Sequence, residues 1–261
     1  MSPRDPLSPD LIAVLRRLKL GRLLDTLPDR LTLARQQKLP HQDLLLLVLS
    51  DEVSRRDSAA AEMRAHKAQL DPSMQLEHWD PTAKVTYDQA LFNELTSLRF
   101  VEAHAHITIV GPVGVGKTFL GHALGHIAAR RRYSVLAETV DHLLETLRHA
   151  RLDHSHETEL RKRLAVDLLL IDDFGIEAMT PEESRDIYTL MTERHRRASM
   201  IVISNRGPDE WLATFADPVR AQAAIDRFTS NAYDLVMEGE SYRDRLKPGR
   251  EAGQKAAKHG K

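Results

Sequence analysis

The spacing of apolar residues divides the chain into two parts. Up to about residue 72, apolar positions recur every three or four residues, which is typical of amphipathic helices. One helix is predicted to begin after Ser8 as its N-cap, with Pro9 in the first position, and a long helix to cover about 41–69. We therefore predict a small all-helical N-terminal domain over residues 1–72. A domain of this size has only a thin hydrophobic core, which favours docking on a partner or on the next domain.

From residue 106 the pattern changes to short apolar runs that alternate with helical segments. The predicted strands cover residues 106–110, 133–138, 167–172 and 199–203, and the predicted helices cover 116–131, 140–150, 156–165 and 181–197. Such alternation implies right-handed βαβ crossovers and a parallel sheet flanked by helices, so we expect an α/β fold. We place this second domain at residues 73–245, followed by a basic, disordered tail over 246–261.

Composition narrows the functional classes. The chain has no cysteine, which excludes disulfides and thiolate metal sites and agrees with a cytoplasmic location. No apolar run approaches the roughly 18 residues of a membrane span, so no membrane partner is expected. Residues 11–40 and 241–261 each hold seven basic residues against two acidic ones, although the net charge is −1. Basic ends suit a polyanion such as DNA, and a solvated helix face with a disordered tail is the alternative explanation.

A glycine-rich motif follows the first predicted strand of the sheet and opens a helix. It has the pattern G-x-x-x-x-G-K-T over Gly111-Pro112-Val113-Gly114-Val115-Gly116-Lys117-Thr118, and we add the next residue, Phe119, to the predicted binding site. Without a Cβ, glycine lets the backbone wrap closely round a phosphate, which then faces the loop N–H groups and the positive end of the helix. Lys117 adds charge for the β and γ phosphates, and the Thr118 hydroxyl is suited to Mg²⁺.

Polar residues follow two further strands at the predicted carboxyl edge of the sheet. The apolar run 166–171 ends in Asp172 and Asp173, which is the Walker-B pattern. Asp172 is placed to hold the Mg²⁺ that Thr118 touches, and Asp173 to polarise the attacking water. Asn205 follows the next strand, where its amide is suited to orient water or to sense the γ-phosphate. Asparagine also ends strands as a turn residue, so this signal depends on its place after the Walker-B strand.

Arg227 lies near the end of a helix predicted to begin at Asp217 and Pro218. It is a candidate arginine finger that would reach the γ-phosphate bound by a neighbouring subunit. An arginine late in a helix also interacts favourably with the helix dipole, which is the structural alternative. Arg220 is the second candidate for the finger.

Other conspicuous residues favour structural roles. His122 and His126 are four apart on a predicted helix, but no glutamate completes an H-E-x-x-H pattern, so we expect a packed or solvent-facing pair rather than a metal site. Trp79 and Trp211 are predicted to be packing anchors rather than stacking platforms.

Together these motifs resemble the AAA+ ATPases of the clade that holds the replicative helicase loaders, and more closely the IstB-like ATP-binding proteins of insertion sequences. The resemblance covers nearly the whole chain up to about residue 245. It is carried by Leu15–Leu20, Gly111–Leu120, Leu168–Gly175, Ile203–Asn205, Asp209–Trp211, Asp217–Phe228, Asn231-Ala232 and Gly239–Arg243.

The resemblance implies an ATP-dependent helper of a DDE-type, IstA-type transposase. Such a protein binds double-stranded target DNA without strong sequence preference, assembles on it as a homo-oligomer with ATP sites at subunit interfaces, deforms it and stimulates the transposase. ATP and Mg²⁺ are the implied cofactors, and the helical N-terminal domain would carry DNA, subunit and partner contacts. By the same resemblance, Asp173 is the catalytic carboxylate, Asn205 the sensor and Arg227 the finger.

Two departures from the family pattern bear on the mechanism. Most AAA+ proteins carry glutamate where this chain has Asp173, and the shorter side chain is expected to slow hydrolysis and favour a switch over a motor. Only about 20 residues follow Gly239. That is too few for a helical lid, so the usual sensor-2 arginine is expected to be missing or replaced by Arg243.

Three alternative functions share the same motifs. A replicative helicase loader would differ in its partner. A P-loop kinase for small molecules is disfavoured by Asn205 after its own strand and by the helix at 217–228. A scaffold that holds ATP without turnover is the third.

Overall fold

A computed structural model describes residues 7–242, which fall into two compact units divided between Glu62 and Met63. The α-helices are α1 (Pro9–Arg17), α2 (Leu27–Gln37), α3 (His41–Lys67), α4 (Gln89–Thr96), α5 (Arg99–Glu102), α6 (Lys117–Arg130), α7 (Val140–Leu152), α8 (His156–Ala165), α9 (Pro181–Arg194), α10 (Pro208–Trp211) and α11 (Pro218–Thr229). The strands are β1 (Val85–Thr86), β2 (His106–Val110), β3 (Val135–Thr139), β4 (Leu168–Phe174), β5 (Ser199–Ser204), β6 (Ala232–Val236) and β7 (Glu238–Gly239). Short 3-10 helices cover Gly21–Asp25, Leu76–His78 and Leu212–Thr214.

The first unit is helical, as the apolar spacing predicted. Helix α1 begins as expected: the Ser8 hydroxyl accepts the N–H of Leu11 at 3.3 Å, and Pro9 lies in the first turn. Its core is small, since the buried apolar cluster consists of Leu15, Leu23, Leu27 and Val48. The domain boundary at residue 72 and the DNA, subunit and partner contacts of this part of the chain stay predictions.

The second unit contains the predicted parallel sheet. Its five strands lie in the order β3-β4-β5-β2-β6, and every neighbouring pair is parallel. Successive residues of a strand point to opposite faces, so the buried strands supply two cores. On β4, Leu168 and Leu170 pack into one cluster, and Leu169 and Ile171 into the other. The α/β class is therefore confirmed, with helices covering both faces of the sheet.

The strand at one edge of the sheet, β6, was not predicted. It covers Ala232–Val236 and pairs with β2 in parallel register, with Ile107 opposite Tyr233. Its sequence mixes exposed and buried positions over only five residues, which gives a weak periodic signal. The turn residue Asn231 immediately before it was the available indication.

Two further points concern the extent of the described residues. No helix within residues 7–242 is both long and apolar enough to cross a membrane. The predicted tail over 246–261 and the assignment for Arg243 lie outside the described residues.

Candidate nucleotide-binding site

The glycine-rich loop connects β2 to α6 at the carboxyl edge of the sheet. Its conformation requires glycine, because Gly114 and Gly116 have φ values of +85° and +97°, where L side chains are strained. Lys117 is the first residue of α6, so the N-terminal N–H groups of that helix open towards the loop. The strand, loop and helix predicted around the motif are therefore all present.

Lys117 joins this loop to the neighbouring strand. Its side chain is only 7% exposed, and Nζ donates to the carbonyl of Pro112 and to Oδ1 of Asn205, each at 2.7 Å. Asn205 follows β5, which lies beside β2 in the sheet. The sheet thus brings together the loop lysine and the amide predicted from the end of the next strand.

The two Walker-B aspartates lie at an irregularity in the pairing of β4 with β5. The register shifts between Ile171 and Phe174, and Asp173 adopts a left-handed backbone with φ of +57°. Asp172 is buried and its Oδ1 accepts the N–H of Asp173 at 2.8 Å, whereas Asp173 is exposed. A bulge re-aims a side chain, and the two adjacent carboxylates accordingly differ in exposure although both line the same cavity.

These residues line a cavity of about 330 Å³, a size typical of small-molecule sites. Its polar side combines the loop with the two aspartates and Asn205. The predicted site residues in its lining are Val113, Gly114, Val115, Gly116, Lys117, Thr118, Phe119, Asp172, Asp173 and Asn205. Gly111 and Pro112 begin the loop outside this lining, although the Pro112 carbonyl accepts the hydrogen bond of Lys117.

The rest of the cavity lining includes two segments that were not predicted to be part of the site. One is the segment before β1, which contributes Met74, His78, Trp79, Asp80 and Ala83, and the other contributes Tyr242. Trp79 is a packing anchor, as predicted: its ring contacts Phe119 and Tyr87 at centroid distances of 5.2 and 6.0 Å. It lines the cavity as well. The only sequence signal for this lining position was the occurrence of an aromatic residue in a polar, Pro-containing stretch.

The two histidines of α6 hold the start of this segment in place. His122 Nδ1 accepts the N–H of Asp71 at 3.1 Å, and His126 Nε2 lies 2.8 Å from the Asp71 carbonyl oxygen. Burial lowers the pKa of His122, which agrees with an acceptor nitrogen on a neutral ring. The pair is therefore packed, as predicted, and serves the backbone rather than a metal.

Arg227 and Arg220 do not line this cavity. Arg227 is exposed on α11, with Nη1 3.4 Å from the Tyr188 hydroxyl. Arg220 is also exposed and pairs with Asp217 at 3.4 Å. Neither side chain serves its own subunit's site, so a role for either in a neighbour's site stays a prediction.

The oxygen groups near the loop suit Mg²⁺. Thr118 and Asp172 offer a hydroxyl and a carboxylate, the hard ligands that this ion prefers. Within residues 7–242, no group of three or more His, Cys, Asp or Glu side chains could hold a metal by itself. That donor set matches an ion that keeps several waters and completes its shell with phosphate oxygens.

Comparison with known proteins identifies the family. The family model described as IstB-like ATP binding protein matches residues 13–250. The chain belongs to this family. An insertion-sequence ATP-binding protein of Mycobacterium tuberculosis (strain ATCC 25618 / H37Rv) is 35% identical over 243 residues, which are 93% of this chain and 97% of the relative. The ATP-binding protein of insertion sequence IS21 from Pseudomonas aeruginosa is 34% identical over 244 residues, 94% of this chain and 91% of the relative.

A solved structure extends the comparison to the fold. The crystal structure of the DnaC helicase loader matches 63% of this chain and 97% of its own, with a TM-score of 0.52 and 19% identity. The resemblance to the IstB-like family and the AAA+ P-loop fold expected from the motifs are thus confirmed. Family and fold together make this IstB-like protein an ATP-binding ATPase.

Proposed function

We propose that this IstB-like protein is an ATP-dependent transposition helper that binds and remodels target DNA as an oligomer and stimulates a partner transposase. The observation that carries the proposal is the link from Lys117 to Asn205 beside Asp172, inside a cavity large enough for a nucleotide. Membership of a family of insertion-sequence ATP-binding proteins supplies the biological setting. The partner we propose is therefore the IstA-type transposase of the same element.

The residues of the cavity divide the chemistry among them. The loop N–H groups and Lys117 bind the phosphates, and Thr118 with Asp172 would hold Mg²⁺, which neutralises charge on the β and γ phosphates when bound. Asp173 takes the proton from a water that attacks the γ-phosphorus, the bond from that phosphorus to the β–γ bridging oxygen breaks, and ADP leaves. Asn205 orients the water or the γ-phosphate through its amide.

Contacts between subunits and with DNA use other surfaces. We assign Arg227 to the site of a neighbouring subunit, because it is exposed and lies outside the cavity of its own chain. DNA contact is assigned to residues 11–40 of the N-terminal unit, which hold seven basic residues against two acidic ones. The exposed basic residues of this stretch are Arg16, Arg17, Lys19, Arg22, Arg35 and Lys38. Basic side chains on one small unit favour a polyanion without reading its sequence.

The direct test is a gel-shift or filter-binding titration of duplex DNA with ATP and Mg²⁺, with ADP, and without nucleotide. We expect tight binding with ATP and Mg²⁺ only, and binding that weakens steeply with salt. Stimulation of strand transfer by the IstA-type transposase is then measured under the same conditions. Duplex binding that ignores ATP and Mg²⁺ would contradict the proposal.

A replicative helicase loader is the second candidate, because the DnaC helicase loader shares the fold. That likeness shows the fold alone, and the two functions differ in partner. Pull-down of a replicative helicase by the ATP-bound protein, with no effect on the transposase, would favour the loader.

A further inference from the structure

The phosphate loop of this protein is covered by a C-terminal segment, residues 237–242, which we call the strap. The strap is hydrogen-bonded to both sides of the loop's first half. The Met237 N–H donates to the carbonyl of Val110 at 2.8 Å, and the Tyr242 N–H donates to the carbonyl of Gly114 at 2.8 Å. Tyr242 also lines the nucleotide cavity.

Two loop glycines make room for this contact. A Cβ on Gly111 would lie 2.2 Å from the Met237 carbonyl oxygen, and a Cβ on Gly114 would lie 2.2 Å from Ser241 Oγ. Both distances are far below van der Waals contact. The glycines of the motif therefore admit the strap as well as a phosphate, which the motif alone did not indicate.

The strap is in turn paired with the segment that carries Trp79. Strands β1 and β7 are antiparallel, with Val85 opposite Gly239, and the Glu240 N–H donates to the Lys84 carbonyl at 3.2 Å. Gly239 is required at this contact, because a Cβ there would lie 2.3 Å from the Lys84 carbonyl oxygen. Trp79 at the other end of the segment lies over the loop, 2.9 Å from where a Cβ on Gly116 would be. Strap and segment thus form one two-stranded cover on the loop.

We propose that the strap positions the phosphate loop for nucleotide, by fixing the peptide that joins Gly114 to Val115. In a trans peptide the C=O and the N–H point in opposite directions. Because the Gly114 carbonyl accepts the Tyr242 N–H, the Val115 N–H of the same plane is held facing away from the strap donor. That N–H belongs to the stretch of loop amides that receives phosphate in the proposed function, on which this inference rests.

The positioning effect has a reciprocal consequence. If the strap prepares the loop for phosphate, bound phosphate stabilises the strap by the same free energy. Nucleotide binding then stabilises the strap and, through the β1–β7 pair, the segment that carries Trp79. The strap is a positioning element and not a catalytic one, so its removal should act on nucleotide affinity more than on the rate at saturating ATP.

Substitution of Tyr242 separates the backbone donor from the side chain. Tyr242→Pro removes the N–H, whereas the matched control Tyr242→Ala keeps the N–H and removes the ring. The bond that is lost fixes the peptide whose Val115 N–H is proposed to face phosphate, so we expect Tyr242→Pro to bind ATP about tenfold more weakly than Tyr242→Ala, which corresponds to about 1.4 kcal/mol. Kd is measured by calorimetric titration of the full chain with ATP and Mg²⁺, and kcat at saturating ATP should stay nearly the same.

Gly239→Ala tests the same cover from its other strand. Its Cβ would meet the Lys84 carbonyl, so we expect weaker ATP binding without any change to a loop residue. Amide hydrogen exchange of residues 237–242 in the wild-type chain should slow when ATP is added. Thermal unfolding of each variant verifies that it is folded.

The possible outcomes are distinct. Equal ATP affinity of Tyr242→Pro and Tyr242→Ala, in a wild-type chain that does bind ATP, would overturn the role of the strap and leave the proposed function intact. Exchange in the strap that ATP leaves unchanged would also overturn it. A wild-type chain that binds no ATP would contradict the proposed function itself.

Discussion

Lys117 Nζ lies 2.7 Å from Asn205 Oδ1, although 88 positions separate the two residues in the chain. The contact joins the lysine proposed to bind phosphate to the residue that follows the neighbouring strand. Phosphate oxygens carry charge and form stronger hydrogen bonds with an ammonium group than a neutral amide oxygen does. We therefore expect a bound triphosphate to compete for Lys117 and to release the Asn205 side chain, which would couple nucleotide state to the end of β5.

Replacement of Lys117 tests this relationship first. We expect Lys117→Ala to abolish ATP binding and ATP-dependent assembly, because the β and γ phosphates lose their only buried cationic partner among the described lining residues. Calorimetric titration and analytical ultracentrifugation measure the two effects. Lys162→Ala is the control, since Lys162 forms a surface pair with Glu159. If Lys117→Ala assembled normally in response to ATP, the proposed control of assembly by ATP binding at Lys117 would be contradicted.

Substitution of Asp173 is the second test, and the backbone conformation at this position accommodates asparagine. The residue has φ of +57°, a conformation that asparagine tolerates as readily as aspartate, so Asp173→Asn should fold normally. We expect it to bind ATP, to hydrolyse it about 10² to 10⁴ times more slowly, and to trap the assembled state. Phosphate release and sedimentation are the measurements. Normal hydrolysis by this variant would show that Asp173 is not the proton acceptor.

The finger requires a test with mixed subunits. We expect Arg227→Ala to bind ATP with unchanged affinity and to lose turnover by about 10³-fold, because the arginine acts on a neighbour's γ-phosphate. Mixing it with Asp173→Asn should restore part of the activity, since some interfaces then combine an intact Asp173 with an intact Arg227. Arg220→Ala is the matched control on the same helix. If Arg220→Ala loses turnover and Arg227→Ala does not, the finger is Arg220.

A buried histidine predicts how stability depends on pH. Burial, with smaller contributions from Arg194 and His195, lowers the pKa of His106 from 6.5 to about 4. Its ring is fully buried, stacked on Phe228 at 4.9 Å, and its Nδ1 accepts the Met200 N–H at 3.2 Å. The folded protein therefore keeps this ring neutral at a pH where the unfolded chain binds a proton.

Because the folded-state pKa is depressed, the unfolded state binds more protons between about pH 6.5 and 4, and stability falls as pH falls through that window. From pH 7.5 to 5 the loss from His106 is about 2 kcal/mol. Urea unfolding at the two pH values measures it. His106→Gln should be less stable at pH 7.5 but should lose less on acidification, and an equal loss in both proteins would assign the effect to other groups.

Much of the site could be located from the sequence alone. The loop at 111–118, the aspartates after β4 and Asn205 after β5 were recognised because each ends an apolar strand with the residue types that phosphate and magnesium require. Eight helices and strands between residues 106 and 203 were predicted close to their observed bounds. Strand β6 and the lining by Trp79 and Tyr242 were missed, because short strands and packing aromatics carry little local signal.

What the sequence determined by itself is local: the order of the elements, the left-handed glycines of the loop, the helix caps at Ser8 and Asp217, and the residue types delivered to the carboxyl edge. Those features follow from backbone sterics and from the spacing of apolar positions, which act within a few residues. Only the tertiary structure decided the strand order β3-β4-β5-β2-β6 and the approach of the strap to the loop. Both depend on which distant surfaces bury one another, and no local pattern of apolar residues specifies that choice.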